Sequence, residues 1–297
     1  MAVTLGHTQY GKDEIRVVRV LRGAGLHTIV DYNVTVQLIG DFDAAHLTGD
    51  NSNVVPTDTS KNTVFAYAAR DDVVTQPETF GLALARHFVD DIAAVSQARI
   101  SLDLYPWRRL THDGDPHPHA FARSGAHVRT ASVTCDGTRT WVVSGVKDLT
   151  VLKTTDSEFE GFYTDRYTTL EPASDRILAT SVTAQWLHGS DDRDWQRSFD
   201  TVLDAMLDRF AGHYSKALQQ TIWLMGEAAL TADAGIEELR ITCPNAHHFL
   251  YDLARMGIDN PGLVFHADDR PYGLIEGTIR QEDAPDPGPA FDPGQGW

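Results

Sequence analysis

Apolar side chains recur along this chain with two different periods, and the order in which those periods alternate gives the first view of its architecture. Val30, Tyr32, Val34, Val36 and Leu38 alternate with Asp31, Asn33, Thr35 and Gln37, the period of two expected of a strand with one buried face. Ahead of it, EIRVVRVLR (14–22) reads as a second strand joined through a Gly23-Ala24-Gly25 turn, so a long antiparallel hairpin is predicted. In PETFGLALARHFVDDIAAVSQA, Phe80, Leu84, Phe88, Ile92 and Val95 fall three and four residues apart and stack on one helical face. Strand-like RISLDLYPWRRL and AHVRTASVTC follow, separated by a polar turn.

The same order returns in the second half. WVVSGVKDLTVLKT and RILATSVTAQWLH read as strands, and Phe199, Val202, Leu203, Met206, Leu207 and Phe210 repeat with helical spacing. A further helix is predicted with Leu218, Ile222, Met225 and Ala229 on its buried side, before strand-like ELRITC and GLIEGTIR. Each half therefore reads strand, strand, helix, helix, strand, strand. This is an α+β fold of antiparallel sheets carrying helices on one face. A boundary at the CDGT turn gives units 1–137 and 138–280, and 281–297, rich in Pro, Gly and acid, is expected to form a disordered acidic tail.

Composition narrows the partners. The chain has 297 residues, with 42 acidic against 25 basic side chains and a formal charge of −17, which repels nucleic acid and anionic membrane surfaces. No apolar run reaches the roughly 20 residues needed to span a bilayer, and MAVTLGHTQYGKDE lacks the pattern of a signal peptide. A soluble, intracellular protein with a small-molecule partner is expected. Cys135 and Cys243 are too few for a disulfide framework and are not spaced as a zinc site.

Four segments hold polar residues that strands and helices do not require. Lys12 follows a glycine just before a strand, either as a solvated loop charge or as a catalytic amine. In VVPTDTSKNTVFAYAAR (54–70), Thr57 and Asp58 stand at a helix start, where they read as N-terminal caps or as ligand contacts. Phe159, Phe162 and Arg176 in DSEFEGFYTDRYTTLEPASDRILAT read as hairpin aromatics and an ion-pair partner, or as the face and fork that hold a planar heterocycle. In CPNAHHF (243–249), Asn245 reads as a turn former with His247 or His248 beginning a partly buried helix, or Asn245 and His247 project into a pocket from a strand end. A fifth segment, THDGDPHPHAFARSGAH, carries His112, His117, His119 and His127 without HExxH or paired cysteines, and an exposed hairpin is favoured there over a metal site. Neither a GxGxxG nor a GxxxxGK[ST] cradle occurs, nor a GxSxG elbow.

Taken in order, YGK (10–12), VVPTDTSKNTV (54–64), LTVLKTTDSEFEGFYTDRYTTL (149–170), DRILAT (175–180), ALQQTIW (217–223) and PNAHHF (244–249) resemble the urate oxidase (uricase) family over the chain up to about residue 280. The resemblance implies the tunnelling fold: two ββααββ units per chain whose sheets close into a barrel on oligomerisation, with two barrels stacked as a homotetramer. It implies active sites at subunit interfaces, with Lys12, Thr57 and Asp58 from one chain and the other contacts from its neighbour. The implied reaction is oxidation of urate by O₂ and water to 5-hydroxyisourate and hydrogen peroxide, without metal or organic cofactor.

By that resemblance, Phe159 stacks on the purine while Arg176 and Gln219 clamp its edge. Leu218 and Asp58 present main-chain amides to the substrate, and Asn245 with Thr57 holds O₂ or water above the ring. Lys12, Thr57 and His247 form the proton relay, in which the lysine serves as base through burial or through water. The chain departs from the family's pattern at Leu218, where a smaller branched residue is familiar, and at Ala246, where lysine is frequent. It ends in QGW without an SKL-type signal, which points to the cytoplasm. Two rival readings are a pterin-handling metal enzyme on the same fold, using the histidine loop, and a non-catalytic purine-binding protein.

Overall fold

A computed structural model describes residues 2–23, 25–70, 72–125 and 127–292. Ala24 of the expected turn, Ala126 at the head of AHVRTASVTC, and 293–297 of the expected tail lie outside the described residues. The chain divides into two compact units, one built from 1–145, 186–197 and 285–297 and the other from 146–185 and 198–284.

The first unit begins with β1 (Tyr10–Arg22) and β2 (His27–Gly40), then three helices, α1 (Asp43–Leu47), α2 (Thr57–Ala68) and α3 (Pro77–Asp90). Next come β3 (Val95–Leu104), a hairpin of β4 (Trp107–His112) and β5 (Asp115–Arg123), and β6 (Val128–Cys135). β1, β2, β3 and β6 are neighbours in that order, and each neighbouring pair is antiparallel. The alternation in β2 sorts its faces, with Tyr32, Val34, Val36 and Leu38 fully buried in one core with Phe80, Leu84 and Phe88 of α3, but Asp31 on the polar face is buried too, bonded to Arg16 and Trp107. α3 lies on β3 and β6, and α2 lies on β1.

Three expectations need correction here. The helix predicted to carry Val95 ends at Asp90, and Val95 opens β3 opposite Gly40; strand pairing outcompetes the accidental helical spacing of a β-branched residue. RISLDLYPWRRL is two strands, because the chain leaves β3 after Leu104 and folds back as β4 and β5. The tail is not disordered over 281–292. Gln281 N–H donates to Glu237 O at 2.9 Å in the second unit. In the first, Gly288–Phe291 form a 3₁₀ turn, the carbonyls of Pro289 and Asp292 accept from the buried Arg99 guanidinium, and Ala290 is buried with Trp141, Val143 and Leu187. Composition registers the Pro and Gly but not the buried cation that captures the backbone of this segment.

The second half repeats the element order. β7 (Thr140–Lys153) and β8 (Leu178–His188) run through the unit boundaries, followed by α4 (Trp195–Gly212) and α5 (Leu218–Ala232). β9 (Ile236–Pro244), a short hairpin of β10 (His247–Leu250) and β11 (Phe265–Asp268), and β12 (Leu274–Arg280) complete it. The strand order is β7-β8-β9-β12. Phe199, Val202, Met206 and Phe210 of α4 and Leu218, Ile222, Met225 and Ala229 of α5 are buried, as their periodicity predicts. In its longer elements each half is thus ββααββ with a hairpin inserted between its last two core strands, and the first half adds the five-residue α1 before its two long helices.

The histidine-rich segment forms the β4–β5 hairpin, turning through Asp113 and Gly114 at φ 50° and 88°. The His117 and His119 rings are 4.6 Å apart and His112 lies 6.5 Å from His117. Among the described residues no three His, Cys, Asp or Glu side chains are grouped to hold a metal ion.

Candidate active site

A cavity of about 360 Å³ opens in the second unit, and Phe159, Arg176, Leu218, Gln219, Asn245 and His247 all line it. It has the size of a small-ligand pocket. Four separated stretches of sequence meet there, each for a local reason.

Phe159 sits on the loop that follows β7. That loop is pinned at its start, where Glu158 N–H donates to Ser215 O and Ser215 N–H to Asp156 O, at 2.8 and 2.9 Å. It is closed on itself by reciprocal backbone bonds between Phe159 and Ala173 of 2.8 and 3.1 Å. Phe162 stacks on Phe159 with ring centroids 5.0 Å apart and planes 15° from parallel. Three residues past this closure, Arg176 N–H donates to Ser157 O at 2.8 Å, and its guanidinium lies 5.2 Å from the Phe159 ring centroid.

Arg176 is the electrostatic centre of the cavity. Its Nε is buried and hydrogen-bonds to nothing among the described residues. Burial pushes its pKa down, so the charged form has lost hydration without gaining an acid partner. The neighbouring Asp175 is occupied instead by the Thr155 hydroxyl, which donates at 2.8 Å. A desolvated guanidinium in a pocket favours an anionic, planar ligand able to accept its fork of N–H groups.

Leu218 and Gln219 begin α5, whose N-cap residue is Ala217, with no side-chain cap bond there among the described residues. Those N–H groups have no partner within the helix and add partial positive charge. Asn245 and His247 come from the exit of β9. Asn245 N–H donates to Gly273 O at 2.9 Å, Ala246 N–H donates to Ala179 O at 3.0 Å, and the Thr180 hydroxyl donates to Pro244 O at 2.8 Å. The exit is therefore held from both sides, and no helix begins there: His247 opens β10 and stacks on Phe249 with centroids 5.6 Å apart.

Lys12, Thr57 and Asp58 belong to the first unit, where they form a second group. Lys12 is the last regularly paired residue of β1 before a bulge, after which pairing resumes at Ile15 with Glu14 at φ 55°. The extra residues are anchored by Asn33 Nδ2 donating to Glu14 at 2.8 Å and by the Thr35 hydroxyl donating to Asp13. Gly11 is obligatory for this approach, because a Cβ there would lie 1.7 Å from Val36 O. Thr57 and Asp58 open α2, but not as the predicted caps: the N-cap residue is Pro56, and among the described residues no side-chain cap bond is made there. The Asp58 carboxylate turns along the helix to Lys61 and to Asn62 Nδ2, the latter at 2.9 Å. Its pKa is lowered, first by the Lys61 hydrogen bond and then by Asn62, with a smaller contribution from the charge of Lys12.

His248 of the PNAHHF motif and Ile275 also line the cavity, and no motif pointed to Ile275. Ile275 arrives through the pairing of β12 with β9, opposite Cys243, a long-range register that single-sequence patterns do not reveal.

The uricase family profile matches residues 8–134 and 142–276. A uricase of Arthrobacter globiformis is 47% identical over 280 residues, spanning 94% of this chain and 91% of that protein. A uricase of Dictyostelium discoideum is 36% identical over 94% of this chain and 98% of its own length. The crystal structure of the Arthrobacter globiformis uricase superposes with a TM-score of 0.91 at 45% identity, covering 96% of this chain and 98% of the other.

Proposed function

We infer the function from one premise, that the chain belongs to the uricase family. The protein is a urate oxidase that converts urate, O₂ and water to 5-hydroxyisourate and hydrogen peroxide. The observation that carries this reading is the buried, unpaired Nε of Arg176 beside the Phe159 ring, in a cavity shared with Gln219. Urate is a planar anion with carbonyl and ring-nitrogen acceptors along one edge, and this group of residues matches it in shape and sign.

In the proposed mechanism Phe159 stacks on the purine while Arg176 and Gln219 fix its edge. The amides of Leu218 and Asp58 add contacts, and the turn of the Asp58 carboxylate toward Lys61 and Asn62 supports a main-chain role for that residue. Lys12 takes a proton from the substrate through the Thr57 hydroxyl, His247 extends the relay, and Asn245 with Thr57 holds O₂ or water over the ring. The reaction proceeds without metal or organic cofactor, since the relay and the guanidinium supply its proton transfer and charge stabilisation. Tandem tunnelling-fold units, 1–137 and 138–280, close into barrels in a homotetramer. Lys12, Thr57 and Asp58 then complete the pocket of a neighbouring subunit. Two buried free thiols, Cys135 and Cys243, fit a reducing compartment, in keeping with a cytoplasmic enzyme. Among the described residues no helix is long and apolar enough to cross a membrane.

The test is urate consumption, followed by loss of its near-ultraviolet absorbance, together with oxygen uptake and peroxide release after exhaustive chelation. Equal rates before and after chelation are expected. Absence of turnover by pure, folded, assembled protein would overturn the assignment.

A further inference from the structure

We infer that Tyr10 is a positioning residue for the proton relay: its hydroxyl ties β1 to the lead-in of α2 and so sets the spacing between Lys12 and Thr57. The inference rests on the relay proposed above.

Tyr10 and Lys12 pair with Leu38 and Val36, both fully buried beneath the helices, so both side chains leave β1 on the helix-bearing face. Across from them, the Tyr10 hydroxyl accepts from Val55 N–H at 2.8 Å and donates to Val55 O at 3.2 Å. Val55 stands two residues before Thr57, as Tyr10 stands two residues before Lys12. The Tyr10–Val55 bonds therefore join the two segments immediately before Lys12 and Thr57, where α2 packs on β1.

A single hydroxyl that uses both backbone groups of one residue resists sliding and rotation of that residue together. Val55 cannot turn without leaving a buried amide or carbonyl unpaired. The phenol is itself fixed, packed edge-on against Phe42 with centroids 4.8 Å apart and planes at 84°. Burial raises its pKa, so it stays protonated and keeps both roles, donor and acceptor. Restraint from the other side is weaker, because the bulge interrupts the β1–β2 ladder directly after Lys12. The Tyr10–Val55 rung is therefore the cross-connection that holds the amine of Lys12 in register with the start of α2. The YGK motif thus has a division of labour: Tyr10 locks the helix lead-in, Gly11 admits the close approach to Val36, and Lys12 carries the chemistry.

The experiment compares wild type, Tyr10→Phe, Lys12→Met and the double variant. Steady-state turnover, residual turnover over hours, binding of a non-oxidisable purine analogue, and assembly by light scattering are measured for each. Tyr10→Phe keeps the ring and removes only the hydroxyl. Displacing a catalytic group by about an ångström costs on the order of 100-fold, so kcat is expected to fall roughly 10-fold to 100-fold while analogue affinity stays within about two-fold. In the Lys12→Met background the same substitution is expected to add no further loss. Wild-type turnover in Tyr10→Phe, an equal loss in both backgrounds, a loss confined to analogue binding, or failure to assemble where Lys12→Met assembles would each overturn the inference. An inactive wild type would instead remove the relay on which it rests.

Discussion

Arg176 has been stripped of water on its Nε side and offered no carboxylate, which is tolerable in a folded protein only where a ligand or solvent completes the shell. Arg176→Gln should weaken binding of a purine analogue about 10-fold to 100-fold, the range for losing hydrogen bonds to a charged group; isothermal titration with the folded variant checks this. Lys12→Met and Thr57→Ala belong to the other class of effect. Turnover should drop at least about 100-fold, as for loss of general-base catalysis, while analogue affinity changes by no more than a few-fold. Comparable losses in both would argue for a binding role instead. Asp58→Asn should be mild on both counts, because the carboxylate is engaged by Lys61 and Asn62 within its own helix and the proposed contact uses the amide. These residues were legible in the sequence as polar positions without a structural duty, yet each had an adequate bland explanation. What the bland explanations missed is visible only in three dimensions: the unpaired guanidinium, and two helix starts left uncapped at Pro56 and Ala217.

The two halves are related by packing rather than by sequence. Gly81 in α3 faces Val133 of β6, and Gly226 in α5 faces Ile279 of β12, with an added Cβ reaching 2.7 Å from a side-chain carbon in either case. Gly277 of β12 likewise meets Ile222 of α5 at 2.7 Å. Glycine at these points lets a helix lie close on its sheet, which explains its use inside a helix despite a propensity cost of about 1 kcal/mol. Gly226→Ala should therefore lower the unfolding temperature despite better helix propensity, and calorimetry of the variant tests it. Gly11→Ala should be more severe, because the obstructing atom is a backbone oxygen; separation of β1 from β2 would displace Lys12, so activity should be lost along with stability. Strands and helices with clean periods, β2 and α4 above all, could be read directly from the chain. The end of α3 could not, since Val95 fits the helical stripe and only its pairing opposite Gly40 decides the matter.

Taken as a whole, the protein should be less stable on the acid side for an identifiable reason. His213 donates from Nδ1 to Arg209 O at 2.6 Å and meets the Thr221 hydroxyl through Nε2 at 2.9 Å, and burial, as the largest cause, lowers its pKa from the ordinary 6.5. Because the folded value is the lower one, the unfolded chain binds more protons below about 6.5, and stability declines as pH falls from there until the folded histidine also titrates. Unfolding temperatures measured from pH 7.5 down to 5.5 should show this decline, and His213→Gln should flatten it. A different consequence follows from the 3₁₀ turn held by Arg99. The first compact unit contains the segment that begins at Pro285, so the half of the protein that leaves the ribosome first is the half finished last. Domains ordinarily mature in the order of their synthesis. Here the N-terminal sheet must wait until the whole second unit has been translated before its buried arginine meets the carbonyls of Pro289 and Asp292.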